Sequence, residues 1–550
     1  MNINKFFLSA FISSSFLITS CDNSNIIKEM ECIFTSRFKD TYYVGEAFST
    51  SGIIVKDKSS KEELKNYTFS IDEGYVFEKP NEDFKITISK DNYLNYEFSI
   101  CVVSESFKDE ENKKTLSFYN LNDFHGSFKQ NISNSEMGMS SIGQFLLNQK
   151  KKNPNTFITS SGDMWQGGIE SNKTKGNIIT DAMNIVGFDA MSIGNHEFDW
   201  DEDAIIKNVE MMNFPFLNSN IFYADSNLRP NYFTPSTLIE RNNVKVGFIG
   251  TISKTCEDDI LYSVVKKFKF DYPREYYINE SNKLRENGAD IVVILAHDGN
   301  ETTYEDATNI SPTYNKPYAD LVFLGHDHRE KSYTFNNVPL VEAYSNGKSI
   351  ANINLNIEKI ENSWKVVSHE VMFHNLNTTV SKTLSNSDID SLLDKYYEVI
   401  GDVNRVICTF KNTYDRYGFI NIVNQAIIDY INGEKSFSDV KVTAAVHNYA
   451  GIRVNEVKKG DFTYQDLIKA CPFSNNIYAM KVNKSQYEDL LNKHPYYEVE
   501  DFDSSLGYAW VGTISYVSEP LLDSLLDYRS FPLYIYEIME DYLIEHNGEF

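Results

Sequence analysis

Cysteine is scarce in this chain: six residues in 550, with no Cys-x-x-Cys pair. That excludes a thiolate metal knuckle and gives no disulfide framework. Cys32 and Cys101 bracket the first folded segment and are compatible with either a disulfide or two buried thiols. Positive charge is also short, with 52 Lys and Arg against 78 Asp and Glu and a formal net charge of −26. A general nucleic-acid binder carries a basic footprint, so that class is excluded. Any anionic substrate must be held by local positive charge, from arginines or metal ions, on an acidic background. Beyond the first twenty residues no apolar run is long enough to cross a membrane, and there is no internal repeat. What is present, 41% apolar and 14% aromatic residues, is enough for sizeable cores. The length suggests three or four domains of about 150 residues each.

The first twenty residues, MNINKFFLSAFISSSFLITS, read as a leader: Lys5 gives a positive start, and Phe6 to Thr19 is too short to span as a stable helix. Its end, ITSC, resembles the lipobox of bacterial lipoproteins, which implies lipidation at Cys21, a polar tether from CDNSN onward, and an extracytoplasmic protein anchored to the membrane surface. The alternative is an ordinary signal peptide beside a cysteine. Residues 28–104 hold short alternating runs (YYVGEAF, GIIVKDK, YTFSIDEG, FKITIS, YEFSICVV) at the spacing of a small β-sandwich. Their order resembles bacterial immunoglobulin-like modules, which implies a spacer or weak binding unit.

After the charged linker KDEENKK the pattern changes. From 115 to 375, short apolar runs (TLSFYN, TFITSS, DAMSI, VKVGFIG, ADIVVILA, ADLVFLG) alternate with longer helical segments, the signature of a layered α/β domain whose strands are buried on both faces. From 381 to 403 the sequence reads as an amphipathic helix, with Ile389, Leu392, Leu393, Tyr396 and Ile400 on one face and Ser387 as N-cap. It connects, within 376–400, to a C-terminal α/β domain over 401–550. The fold expected is therefore multidomain: β-sandwich, α/β catalytic domain, α/β substrate domain.

Polar loops directly after the apolar runs carry the chemistry. NLNDFHG supplies Asp123 and His125, and SSGDMW supplies Asp163. SIGNHEFD supplies Asn195, His196 and Asp199, LAHDG supplies His297, and LGHDH supplies His326 and His328. In a mostly parallel sheet, loops after strands gather at the carboxyl edge. Singly, each of these is a turn or a solvated histidine; together and in order they deliver oxygen and imidazole donors to one place. Such donors suit Zn, Mn, Fe, Co or Ni. A shared carboxylate, for which Asp163 is the candidate, allows two ions about 3.5–4 Å apart that activate water and neutralise phosphoryl charge.

The series NLNDFHG, SGDMWQGG, SIGNHEFDW, LAHDG, LGHDH resembles the calcineurin-like metallophosphatases and, more narrowly, the 5′-nucleotidase family. The resemblance implies a four-layer α/β sandwich and two divalent ions, zinc, manganese or similar. One ion would be held by Asp123, His125, Asp163 and His328, the other by Asp163, Asn195, His297 and His326. It leaves His196 free of metal to face the phosphate, oriented by Asp199, as transition-state stabiliser and general acid. Glu197 is then a surface or supporting residue. It also implies a swing of the C-terminal domain about residues 375–405.

In the C-terminal domain, a strand at Val442–Val446 leads into Asn448-Tyr-Ala-Gly-Ile-Arg453, and Thr463 with Asp466 reads as a capping box for a short helix stopped by Pro472. The segment is similar to the family's Asn-x-Gly-Gly-x-Arg … Pro-Phe region, so Asn448, Arg453 and Phe473 inherit substrate contacts, Phe473 stacking on the base. Arg416 is a second candidate arginine and Tyr516 a second stacking aromatic. The family's Gly-Gly-Asp-Gly turn, which holds the ribose, is missing; Asp523 is a substitute, among leucines that read as helix, and Ala450 replaces a glycine. The reaction implied is hydrolysis of nucleoside 5′-monophosphates at the cell surface, by a metal-activated hydroxide assisted by the His-Asp pair. The alternatives are other phosphoesters (nucleotide diphosphates, nucleotide sugars, 2′,3′-cyclic nucleotides) or an inert surface binding protein on an enzyme's frame. No sequence feature fixes an oligomeric state.

Overall fold

The computed structural model describes residues 27–34, 39, 41–103, 112–437 and 439–549. The leader, its Cys21 and most of the KDEENKK linker lie outside the described residues. Among the described residues no helix is long and apolar enough to cross a membrane.

Residues 27–103 form two small sheets, a pair (Met30–Phe34 with Ile53–Asp57) and a four-stranded sheet whose outermost member, Thr41–Tyr43, runs parallel to Tyr96–Val103. Alternate residues of both sheets, among them Val55, Ile86, Ile88, Phe98 and Ile100, meet in a common core with Tyr42, Phe48 and Phe77. Cys32 is a free thiol.

The next unit holds two six-stranded sheets packed face to face. In the first the order is Phe216–Leu217, Ala190–Ser192, Thr156–Ser160, Lys113–Leu121, Ile350–Ile360, Ser363–His374, with the first four strands parallel. In the second the central strands Val244–Ile252, Ile291–His297, Leu321–Phe323 and Val338–Glu342 are parallel, with an antiparallel strand at each edge. Phe118, Phe157, Leu355, Phe248, Val293 and Phe323 fill the seam between the sheets, where Phe118 and Phe157 stack at 5.2 Å. Helices cover the outer faces, Gly138–Lys152 and Asn177–Val186 on one side and Arg274–Glu286 on the other. Four layers result. Strands such as Ile291–His297, buried at every position, are apolar because both faces are covered.

The C-terminal unit is a five-stranded mixed sheet (Tyr496–Glu498, Val442–Val446, Ala509–Ile514, Asn476–Val482, Asp527–Tyr534) against the helix Arg416–Gly433. The strand Val442–Val446 and the Thr463/Asp466 capping box form as the sequence indicates. The connector differs. In place of one helix the chain makes three single turns, Ser387–Asp390, Leu392–Lys395 and Tyr397–Ile400, and the first is capped by Asn386, not Ser387. Tertiary bonds break it up. Asn386 bonds Ser140 and Gln144, while Lys395 and Tyr396 both bond Asp181. Ile389 also presses so closely on Gly143 that a side chain there would collide with it. Each turn follows the helices beneath it, overriding local helical preference.

Candidate active site

Every strand-end residue singled out above reaches the carboxyl edge of the two sheets. Lys113–Leu121 delivers Asp123 and His125, Thr156–Ser160 delivers Asp163, Ala190–Ser192 delivers Asn195 and His196, Ile291–His297 ends on His297, and Leu321–Phe323 delivers His326 and His328. Five of these residues hold left-handed backbone: Asp123 (φ 49°), His125 (48°), Asp163 (56°), His326 (85°) and His328 (58°). Such conformations cost about 1–3 kcal/mol each in residues other than glycine and persist only where the surroundings over-determine them. Gly194 lets the second loop approach, because a Cβ there would collide with the Asp163 carboxylate.

Backbone carbonyls set the imidazole tautomers. His125 Nδ1 donates to Gln166 O at 3.0 Å and His297 Nδ1 to Ser161 O at 2.9 Å, which leaves both Nε2 lone pairs facing the site. The Nε2 atoms of His125 and His328 lie 2.9 Å apart, and His328 Nε2 lies 3.4 Å from Asp123 Oδ1. His297 Nε2 meets Asn195 Oδ1 at 3.0 Å and Asp163 Oδ2 at 3.2 Å, and His326 Nδ1 meets the same Asn195 oxygen at 3.1 Å. Asp123 Oδ1 is buried without a hydrogen-bond partner. Lone pairs converging on lone pairs around an orphaned buried carboxylate oxygen call for cations, so the residues fit two divalent ions with an oxygen and nitrogen donor set.

His196 lies beside these donors, with a ring nitrogen within 4.8 Å of donor atoms of His125 and Asp163. Its Nδ1 bonds Asp199 Oδ2 at 2.9 Å, and its backbone N–H donates to Asp163 Oδ1 at 2.8 Å. Burial opposes a charge on His196, yet the Asp199 and Asp163 carboxylates prevail and raise its pKa. From the C-terminal unit, Arg453 Nη2 donates to His196 Nε2 at 3.1 Å, and the Phe473 ring stacks on the imidazole at 5.6 Å and 25°. Asn448 Oδ1, on the same loop as Arg453, is buried with no partner. Tyr516 OH donates across to Asp258 O at 3.3 Å. Arg416 is not brought to the imidazoles: it donates to Val454 O and Asn455 Oδ1 and lies over the Tyr449 ring, so it braces the loop that presents Arg453. Asp523 is exposed in a helical turn, away from any ribose-holding glycine turn.

Two residues were undervalued by sequence reasoning. Glu197 is not on the surface; it is fully buried and accepts the backbone N–H groups of Asp163, Met164, Trp165 and Gly194 at 2.7–3.3 Å, tying two ligand loops together. Burial and the neighbouring Asp163 charge push its carboxyl up to about 7, against those four donors. Cys256, dismissed with the other cysteines, is buried with its Sγ 3.8 Å from His326 Nδ1. No local motif announces either, since three of Glu197's four donors and both contacts of the Cys256 sulfur are distant in sequence.

Comparison with known proteins agrees with this geometry. Residues 116–330 match the calcineurin-like phosphoesterase family and residues 399–520 match the 5′-nucleotidase C-terminal domain. The chain is similar to an apyrase of Tabanus yao, 26% identical over 403 residues that cover 66% of this chain and 70% of that protein. It is also similar to the trifunctional nucleotide phosphoesterase YfkN of Bacillus subtilis, 24% identical over 414 residues, 65% of this chain but 28% of that longer protein. In fold it is similar to a 5′-nucleotidase precursor from Thermus thermophilus, with a TM-score of 0.62 at 15% identity, covering 79% of this chain and 97% of that one. With a calcineurin-like phosphoesterase domain followed by a 5′-nucleotidase C-terminal domain, the chain is a phosphoester hydrolase.

Proposed function

We propose that the protein hydrolyses nucleoside 5′-monophosphates to nucleoside and phosphate. The observation that carries this reading is the meeting of Arg453 and Phe473 with His196 beside seven converging metal donors. An anion-binding group and a base-stacking ring thus come from one domain, and a phosphoryl-handling centre from the other. Asp123, His125, Asp163 and His328 would hold one divalent ion, and Asp163, Asn195, His297 and His326 the second. When bound, two such ions neutralise phosphoryl oxygens and lower the pKa of water at the site.

The rest falls to the chain's own side chains. Asp199 fixes the His196 ring so that Nε2 faces the space between the domains, where it can donate to a phosphoryl oxygen or protonate the departing alkoxide. Arg453 now donates to that same nitrogen. A phosphate entering between them would take the arginine's hydrogen bonds and free Nε2 to take up a proton from solvent, after which it can donate to a phosphoryl oxygen. Phe473 would move from the imidazole to a base, and the orphaned Asn448 oxygen would find a donor on the nucleoside.

The missing Gly-Gly-Asp-Gly turn and the exposed Asp523 favour a second reading, in which the ribose is loosely held and other nucleotide phosphoesters are accepted. The names of the apyrase and trifunctional relatives fit it. We read the N-terminal β unit as an immunoglobulin-like spacer and Cys21 as a lipid anchor outside the cytoplasm; palmitate labelling that is lost in Cys21→Ala tests the anchor. For the reaction, phosphate release is measured from AMP, ADP, a nucleotide sugar and a 2′,3′-cyclic nucleotide, with Mn²⁺ or Zn²⁺ and with chelator. Metal-dependent release from AMP, reduced about 10²–10⁴-fold in His196→Ala, is the expected result. Turnover of only the other esters would select the second reading, and no turnover of any would overturn both.

A further inference from the structure

The strand Val244–Ile252 lies beside Ile291–His297 in the second sheet, with Ile252 in register with His297. The loop that follows therefore emerges at the same edge as the ligand loops, and it turns at once into the helical segment Lys254–Asp259. Ser253 N donates to His297 O at 2.9 Å, and Cys256 N to Ser253 O at 3.2 Å, which pins the segment against the histidine strand. This places Cys256 Sγ, wholly buried, 3.8 Å from both His326 Nδ1 and His297 O. Donor atoms of Cys256, His297 and His326 all lie within 4.8 Å of one another. The amide oxygen of Asn195 completes the group, 3.0 Å from His297 Nε2 and 3.1 Å from His326 Nδ1.

A buried cysteine is ordinarily a small apolar filler. Here its sulfur faces an imidazole nitrogen and a carbonyl instead. His297 provides an independent sign of a ligand. It is fully buried, its Nδ1 is committed to Ser161 O, and its Nε2 faces the oxygens of Asn195 and Asp163 at 3.0 and 3.2 Å. Donors bound at 2.0–2.3 Å to one ion lie no more than about 4.5 Å apart, so the observed spread approaches a single coordination shell.

We propose that Cys256 is a thiolate ligand of the second ion, beside Asn195, His297 and His326, and biases that position toward thiophilic ions such as Zn²⁺, Co²⁺ and Cd²⁺ over Mg²⁺ and Ca²⁺. The proposal rests on the two-ion reading given above. On binding, the S–H bond breaks, its proton leaves to solvent, and the sulfur lone pair forms the metal–sulfur bond, with no change of oxidation state. The two positions then differ in kind. The first has only oxygen and imidazole donors, while the second adds a soft sulfur that hard ions bind poorly.

The test is cobalt substitution in the full chain, after metal removal. Visible d–d absorption reports Co²⁺ in the site, and a near-ultraviolet thiolate-to-cobalt charge-transfer band reports sulfur bonded to it. The expected result is both signals in the unsubstituted protein, with the charge-transfer band lost and the d–d bands kept in Cys256→Ser and Cys256→Ala. Preference for Cd²⁺ over Mg²⁺ in competition titration should fall at least about tenfold in Cys256→Ser, the loss typical of even an outer partner of a metal ligand. Should the variants fail to fold, ¹¹³Cd NMR of the unsubstituted protein decides, since sulfur-bound cadmium resonates apart from cadmium held by oxygen and nitrogen alone. Cobalt bound with d–d bands and no charge transfer would overturn the thiolate ligand and leave the two-ion reading standing. Failure to bind cobalt at all would overturn both.

Discussion

On the catalytic side of the cleft, Asp123, Asp163, Asn195 and His297 are almost wholly buried. They are gripped by backbone: Gln166 and Ser161 carbonyls fix two imidazoles, and Glu197 gathers four N–H groups beneath the loops. On the C-terminal side, Arg453 is exposed and Phe473 half-buried, and each takes its closest functional contact from His196 across the cleft. One half is rigid because ions and phosphoryl charge demand fixed donors at short range. The other is more open, as the proposed nucleotide substrate would require. The difference separates chemistry from recognition, and it can be broken at either end.

The largest effect is expected at the centre of the rigid half. Under the proposed two-ion reading Asp163→Asn removes the shared charge, and kcat should fall by about 10⁴-fold or more. Single-turnover phosphate release measures this. Next comes a stability effect confined to the more open half. His447, buried at the end of the strand Val442–Val446, has its pKa pushed down to about 4 by burial, so the fold favours its neutral form. That stability is complete above the unfolded value near 6.5 and is lost as pH falls from there toward 4, up to about 3 kcal/mol in all. Denaturant unfolding across this window should show the loss, and His447→Gln should flatten it.

Glu197→Gln keeps the shape but offers one acceptor oxygen where two now serve four N–H donors. Metal affinity by calorimetry should weaken about 10–100-fold, the range for outer partners of metal ligands, while the KM for substrate changes little. Smallest is Phe473→Leu. Loss of base stacking, worth about 1–3 kcal/mol, should raise KM about tenfold or more and leave metal affinity unchanged. A Phe473 variant that weakened metal binding instead would erase the distinction between the halves.

The same contrast explains what could be read from the sequence. Asp123, His125, Asp163, Asn195, His297, His326 and His328 were legible because each follows a short apolar run, and in parallel sheets strand order alone gathers such positions. The strand Val442–Val446 and the Thr463/Asp466 cap rest on local rules and form as read. The connector did not, because its helical periodicity competes with bonds to Ser140, Gln144 and Asp181 that lie more than two hundred residues away. Arg416 donates to Val454 and Asn455, contacts that its own segment gave no sign of. Glu197 and Cys256 show the general limit. A residue whose purpose is to face other loops leaves no periodic or spacing signal in its own segment.

The left-handed backbone at Asp123, His125, Asp163, His326 and His328 has a consequence beyond catalysis. Each of these residues is held against its own preference, and ion binding adds stability to that arrangement in proportion to the logarithm of the free metal concentration. A chain deprived of metal is therefore a weaker fold as well as an idle one, and it is more often open to proteases. Under metal scarcity the quantity of this protein should decline along with its activity, so that its abundance becomes a record of how much metal the surroundings supplied.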